Sequence, residues 1–342
     1  MNVRIALSAA LTLPFLAAPA PAAEEPAPAE KVLKAGLIGL DTSHAVAFTK
    51  LLNDPKAPPE VAGVRVVAAF PGGSPDVPSS RDRVPEYTKT LKEEYGVEVV
   101  DSIEALLGKV DVVFLESVDG RPHLEQARPV FKARKPMFID KPVAGSLADA
   151  VEIFELAKET GTPVFSSSAL RFSPGIAAMR AGKLGDVAGC DAYSPCELEE
   201  HVPDFFWYGV HGVETLFTIL GTGCESVSRT TTPGSDLAVG VWKGGRIGTF
   251  RGIRDGAPHD FGATVFGAKG IGQSGGYVGY QPLVAEIVKF FKSGEAPVSP
   301  EETLEIFAFM EAADESKRQD GRPVTIESVL ARARAEAASR GK

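Results

Sequence analysis

The sequence predicts an α/β fold in two parts: a doubly wound parallel sheet over about 32–168, then an α+β unit over 169–330 with a mostly antiparallel sheet. Three observations predict it. Short apolar runs alternate with helical stretches from Val32 to Ser167, the rhythm of a parallel sheet covered on both faces. After Arg171 the strands follow one another through Gly-rich turns, which favours antiparallel pairing. Once a leader is set aside, about 310 residues remain, enough for two domains.

In the first part, strands are expected at Val32 to Leu40, Val64 to Phe70, Val97 to Val100, Val110 to Glu116, Pro136 to Ile139 and Thr162 to Ser167. Helices are expected at Thr42 to Asn53, Pro85 to Tyr95, from Ser102 to Gly108, Pro122 to Ala133, and Ser146 to Thr160. Ser102 is a good N-cap, and Gly108 and Gly161 are good stops. In the second part, strands are expected at Val187 to Tyr193, Ser226 to Thr232, Leu237 to Trp242, Arg246 to Ile253 and Ala263 to Phe266. Helices intervene at Asp204 to Leu220, Gln281 to Ser293 and Pro300 to Gln319, and 331–342 reads as a charged tail.

The first residues have the layout of a secretory signal over 1–23: Arg4, an apolar run from Ala6 to Ala18, and small residues around Ala20-Pro21-Ala22. The run is about 13–15 residues against the ~20 needed to span a bilayer, so no membrane span is expected after processing. Residues 24–31 are rich in Pro, Ala and Glu and read as a disordered leader. The location expected is therefore periplasmic or secreted. The formal charge of -9 becomes -10 once Arg4 is removed with the signal, a poor match for nucleic acid or anionic membrane. Three cysteines, Cys190, Cys196 and Cys224, are too few for a disulfide framework.

A phosphate-binding turn needs glycines between the first strand and helix. The chain offers Gly39-Leu40-Asp41-Thr42-Ser43-His44. Gly39 fits the first glycine of G-x-G-x-x-G, but Asp41 and His44 stand at the other two. Either Asp41 caps the helix, or it puts negative charge where a pyrophosphate would lie. The second strand ends Ala69-Phe70-Pro71, without the carboxylate that ordinarily meets a ribose hydroxyl.

Further along, several motifs occur in a fixed order: Glu116-Ser117-Val118-Asp119-Gly120-Arg121-Pro122-His123, then Asp140-Lys141-Pro142, Arg171-Phe172, His211 with Glu214, and a close from Ser316 through Gly321-Arg322-Pro323-Val324. Together they resemble the Gfo/Idh/MocA oxidoreductases over about residues 34–326. The resemblance implies a Rossmann-type first domain and NAD or NADP as cofactor. Its cofactor contacts would fall on Gly39, Asp41, Thr42, Ser43, His44, Ser117, His123, Asp140 and Lys141. Lys141 would bridge the nicotinamide ribose and the hydroxyl being oxidised, where a cation lowers the cost of a developing alkoxide. The bond before Pro142 would be cis.

Between Asp204 and Leu220, Trp207, His211, Glu214 and Thr218 share one helical face, opposite Val210, Val213, Phe217 and Leu220. His211 suits proton transfer near neutral pH, with Glu214 as its partner; the alternative is a structural hydrogen bond between the two. The family places an acid four residues before this His, and here that position is Trp207. Trp207 and Tyr208, with Arg171, are the expected substrate contacts. Glu197, Glu199, Glu200 and His201 form an acidic approach or a solvated loop. His201, His211, Glu214 and His259-Asp260 have ligand chemistry but match no zinc spacing, so no metal is expected.

The function expected is an exported NAD(P)-dependent oxidoreductase of a sugar or polyol, with tightly held cofactor, acting as a homo-oligomer. The alternatives are a carbohydrate-binding protein that has lost cofactor and turnover, and a redox-neutral glycoside-cleaving enzyme.

Overall fold

The computed structural model describes residues 32–256 and 260–340; the expected signal at 1–23, the leader at 24–31 and His259 lie outside them. Six strands form the first sheet: β1 (Leu33–Ile38), β2 (Val64–Phe70), β3 (Glu98–Val99), β4 (Val112–Leu115), β5 (Met137–Asp140) and β6 (Val164–Ser167). All pairs are parallel and the order is β3-β2-β1-β4-β5-β6. The order reverses between β1 and β4, and a crevice opens at such a point beyond the carboxyl ends of the strands.

The strand side chains alternate between two cores. Val113, Leu115, Met137 and Ile139 pack under α4 (Ile103–Leu107), α5 (His123–Lys132) and α6 (Leu147–Thr160). Val112, Phe114, Phe138 and Phe165 face α1 (Ser43–Leu52) and α3 (Val84–Tyr95). The expected caps form: Ser102 accepts from Ala105 N–H at 3.1 Å, and Ser146 from Asp149 N–H at 3.0 Å. Gly161 closes α6 in the left-handed region at φ 65°. A four-residue turn of helix, α2 (Pro78–Arg81), lies between β2 and α3 and was not expected.

The second sheet has seven strands: β7 (Val187–Pro195), β8 (Cys224–Thr232), β9 (Ser235–Trp242), β10 (Ile247–Ile253), β11 (Gly262–Gly267), β12 (Gly270–Gln273) and β13 (Val324–Thr325). Their order is β12-β11-β7-β10-β9-β8-β13. Only β7 and β10 run parallel; the other pairs are antiparallel. α7 (Pro174–Arg180) leads into this sheet, and α8 (Val210–Leu220) and α10 (Pro300–Arg318) cover one of its faces. Phe250, Trp242 and Phe309 are fully buried between them.

Two helices depart from the expected division. α9 (Gln281–Ser293) follows the second sheet in sequence but returns to the first, where Phe290 and Phe291 meet Phe165 and Phe114 edge to face at 4.8 and 5.1 Å. The expected charged tail is instead the end of α11 (Ile326–Arg340), which packs Ala333 and Ala337 inward and lies against α6 and α10. Its charges cover three sides while small residues repeat every fourth position, and that pattern is a helix with one narrow buried stripe.

Candidate functional site

The site is assembled where β1, β4 and β5 end. Gly39, at φ 90°, makes the turn after β1, and a Cβ there would lie 2.4 Å from Ser117 N. The close neighbour of this glycine is therefore the backbone after β4. Thr42 caps α1, accepting from His44 N–H at 3.4 Å. The Lys141-Pro142 peptide after β5 is cis.

A cavity of about 560 Å³ opens over these ends. The lining includes Thr42, Ser43 and His44 at the start of α1, with Ser79 of α2, Arg83 just before α3 and Tyr87 of α3. Ser43 is exposed there, so an anionic group would meet the start of α1 and the Arg83 guanidinium together. Lys141 and His211 line the middle. Trp207, Tyr208, Phe261, Tyr277 and Tyr280 give the cavity an aromatic lining, with Tyr280 edge-on to the His44 ring at 4.6 Å.

Behind His44 and Lys141 lies a buried charged cluster. His44 Nδ1 is 2.7 Å from Asp140 Oδ2, and Lys141 Nζ is 3.9 Å from the same oxygen. Burial opposes ionisation of Asp140, but the charges of His44 and Lys141 outweigh it and hold the carboxyl at about 2. Glu116, one residue beyond β4, is wholly buried in the same place. Burial first, and then the neighbouring charge of Asp140, raises its carboxyl well above the usual range. Among the described residues, neither Glu116 oxygen has a hydrogen-bond partner, and neither does Asp140 Oδ1.

His211 stands across the cavity at the start of α8. Its Nδ1 is 2.8 Å from Ser168 Oγ, so its partner is Ser168 and not Glu214. Burial, reinforced by Lys141 and His44, lowers its pKa well below 6.5, so the ring is neutral at pH 7. Phe205–Gly209 form a π turn ahead of α8, which adds a residue to the local repeat. Trp207, Tyr208 and His211 all line the cavity, while Glu214 is buried.

Several expected site residues hold the frame instead. Glu214 accepts from Ser167 Oγ, Ser168 N–H and Arg171 Nε, each at 2.7 Å, leaving no room for a catalytic role. Arg171 is 2% exposed and also donates to Glu302 at 2.6 Å, so it does not meet substrate. His123 is fully buried, with Nε2 2.8 Å from the Ser117 carbonyl and Nδ1 3.3 Å from that of Val143; it joins two loops and does not reach the cavity. Ser117 Oγ donates to Gln126 at 2.9 Å. Asp41 is sealed too: it accepts from Ser80 Oγ at 2.6 Å and Val118 N–H at 3.0 Å, fastening the β1 turn to the loop after β4. It neither caps α1 nor faces the cavity.

The zinc-type candidates do not converge. His201 bonds Glu199 at 2.8 Å, His211 and Glu214 are engaged as above, and His259 lies outside the described residues. The sequence reading missed Glu116, Ser168, Arg83 and Tyr280. Glu116 carried one signal, a charge at the end of an otherwise apolar strand in a sheet covered on both faces.

Residues 79–168, spanning β3 to β6, match the Gfo/Idh/MocA model described as an oxidoreductase family with an NAD-binding Rossmann fold. The chain thus carries a Gfo/Idh/MocA family domain. It is 31% identical over 111 residues to the uncharacterized oxidoreductase YhhX of Escherichia coli K12, covering 29% of this chain. The match spans about a third, 32%, of that relative's length. Among solved structures, a putative myo-inositol dehydrogenase from Sinorhizobium meliloti 1021 superposes with a TM-score of 0.71 at 18% identity, covering 86% of this chain and 99% of that one. The scyllo-inositol dehydrogenase of Lactobacillus casei with bound NAD(H) and scyllo-inositol gives 0.71 at 16%, covering 87% and 100%. At these identities the likeness establishes the fold.

Proposed function

We propose that this chain is an NAD(P)-dependent oxidoreductase acting on a sugar or polyol. The observation that carries the reading is the placing of Lys141 and a neutral His211 on one cavity, at the switch point of a sheet whose family domain is described as NAD-binding. Inositol dehydrogenases among the similar folds support a polyhydroxylated substrate.

The residues suit such a cofactor in an altered way. The start of α1 with Ser43, together with Arg83, would hold the phosphates, and Lys141 would meet the nicotinamide ribose. When bound, the nicotinamide supplies a hydride acceptor. The Lys141 ammonium, 3.9 Å from Asp140 Oδ2, binds the reacting hydroxyl and stabilises negative charge on its oxygen. In the tautomer whose Nδ1–H donates to Ser168 Oγ, His211 keeps a lone pair on Nε2 for the hydroxyl proton. Trp207 and Tyr208 offer ring faces to the apolar side of the substrate and displace water.

Lys141→Ala should lower kcat/KM about 10²–10³-fold with KM little changed, the size of losing one preorganised electrostatic contact. Denatured native protein should release nicotinamide nucleotide, or the folded protein should bind added NAD(H). Neither occurring would refute the reading.

One observation favours a second reading, a carbohydrate-binding protein without turnover: Asp41 is buried at the second glycine position, and no carboxylate ends β2. Polyol binding with no nucleotide binding would select it. Export is part of the proposal as well, resting on the Arg4, Ala6 to Ala18 and Ala20-Pro21-Ala22 pattern. The intact mass of protein from the native host should then begin near Glu24.

A further inference from the structure

We propose that His44, Glu116 and Asp140 form a binding site for one divalent transition-metal ion at the floor of the cavity. The three side chains come from the ends of three structural units that meet only at the switch point: the start of α1, the residue after β4, and the last residue of β5. One donor atom from each lies within 4.8 Å of the others. An ion bound by imidazole and carboxylates sits about 2.0–2.2 Å from each donor, so a small inward movement of the side chains would close the shell.

Proximity alone would not make a site. The second observation is the state of the carboxylates. Glu116 and Asp140 are both 0% exposed, yet both oxygens of Glu116 and Oδ1 of Asp140 meet no hydrogen-bond donor among the described residues. Buried carboxylate oxygens ordinarily accept bonds, because an unpaired one forfeits its hydration with nothing in return. Asp41, likewise buried, has its oxygens occupied by Ser80 and Val118, so burial beside these two acids does not by itself leave a carboxylate without donors. A dication would take as ligands the carboxylate oxygens that now lack partners.

The donor set indicates the class of ion. One imidazole with two carboxylates suits Zn²⁺, Mn²⁺, Fe²⁺ or Co²⁺ better than the all-oxygen shells of Ca²⁺ and Mg²⁺. Three protein ligands leave coordination positions for water or a substrate hydroxyl. His44 lines the cavity, so the ion would border the space that Lys141 and His211 also face. The site stands independently of hydride transfer.

The test uses the full chain, stripped with chelator and then titrated with Zn²⁺ or Mn²⁺ alone, without nucleotide or sugar. Calorimetry should show one equivalent bound. Co²⁺ should give visible bands of a nitrogen and oxygen shell. Glu116→Gln should weaken binding by at least about tenfold, and His44→Asn should do the same if the first variant does not fold, while the exposed Glu200→Gln leaves binding unchanged. Absence of uptake by folded wild-type protein, or unchanged affinity in a folded Glu116→Gln or His44→Asn variant, would overturn the site. Because uptake is read without turnover, an inactive dehydrogenase and an absent metal site give different results.

Discussion

At the scale of single residues, the chemistry of the cavity divides into groups that face it and groups that hold those in place. His211 faces it, and its depressed pKa fixes the pH dependence. The neutral form is the base, so turnover should stay level through neutral pH and fall only as pH drops below the ordinary His value, 6.5, toward the lower folded value. A kcat/KM profile reads this directly; an acid limb above pH 6.5 would contradict it. Glu214 holds. Its removal leaves Arg171, at 2% exposure, with only Glu302 to balance its charge. Glu214→Ala should therefore cost about 3–5 kcal/mol of stability, seen in thermal unfolding, and a stable variant that lost only kcat would contradict the assignment. The sequence pattern placed both residues on one face and so paired them. The pairing fails because Ser167, Ser168 and Arg171 occupy the Glu214 carboxylate and Ser168 Oγ meets His211 Nδ1, partners that lie 43 to 47 residues away in sequence.

At the scale of elements, α8 positions the site because it lies unusually close to the second sheet. A Cβ at Gly212 would be 2.2 Å from Phe250 Cε2, so glycine there is a packing requirement. Gly212→Ala should lower stability by about 1–3 kcal/mol and weaken activity by displacing His211; wild-type melting temperature and rate together would show that α8 can shift freely. Elements of this kind were legible in the sequence. The strand at Val64 to Phe70 and the helix at Gln281 to Ser293 fall where their composition places them. The turn after β1 was legible only by half. Gly39 was readable from its residue type, since a tight turn admits little else. The role of Asp41 was not, because its partners Ser80 and Val118 lie 39 and 77 residues away. Glu116 was hidden for the same reason: its significance comes from Asp140 and His44, which are neighbours only once the sheet has formed.

At the scale of the whole chain, α11 ties the second sheet's helices to the first sheet's. It lies against α6 and α10, with Val329, Ala333 and Ala337 buried. Ending the chain at Leu330 should expose the flank of α6 and lower the melting temperature by several degrees, about the effect of 1–2 kcal/mol in a chain of this size. An unchanged melting temperature would make residues 331–340 an appendage. The overall α/β class was legible because strand and helix alternate so regularly before residue 168. The return of α9 was not, since its amphipathic pattern states that it has a partner without saying which sheet supplies it.

That return of α9 governs the order in which the molecule can be made. Phe114, Phe138 and Phe165 are complete in the chain by residue 165, but the ring surface that covers two of them arrives only with Phe290 and Phe291. A growing chain must therefore carry an unfinished apolar face through the synthesis of more than a hundred further residues. Long-range closure of this kind is slow and leaves apolar surface open to chaperones, or to aggregation, while it waits. The first sheet consequently looks like a module in its topology, but it is completed by the later half of the chain.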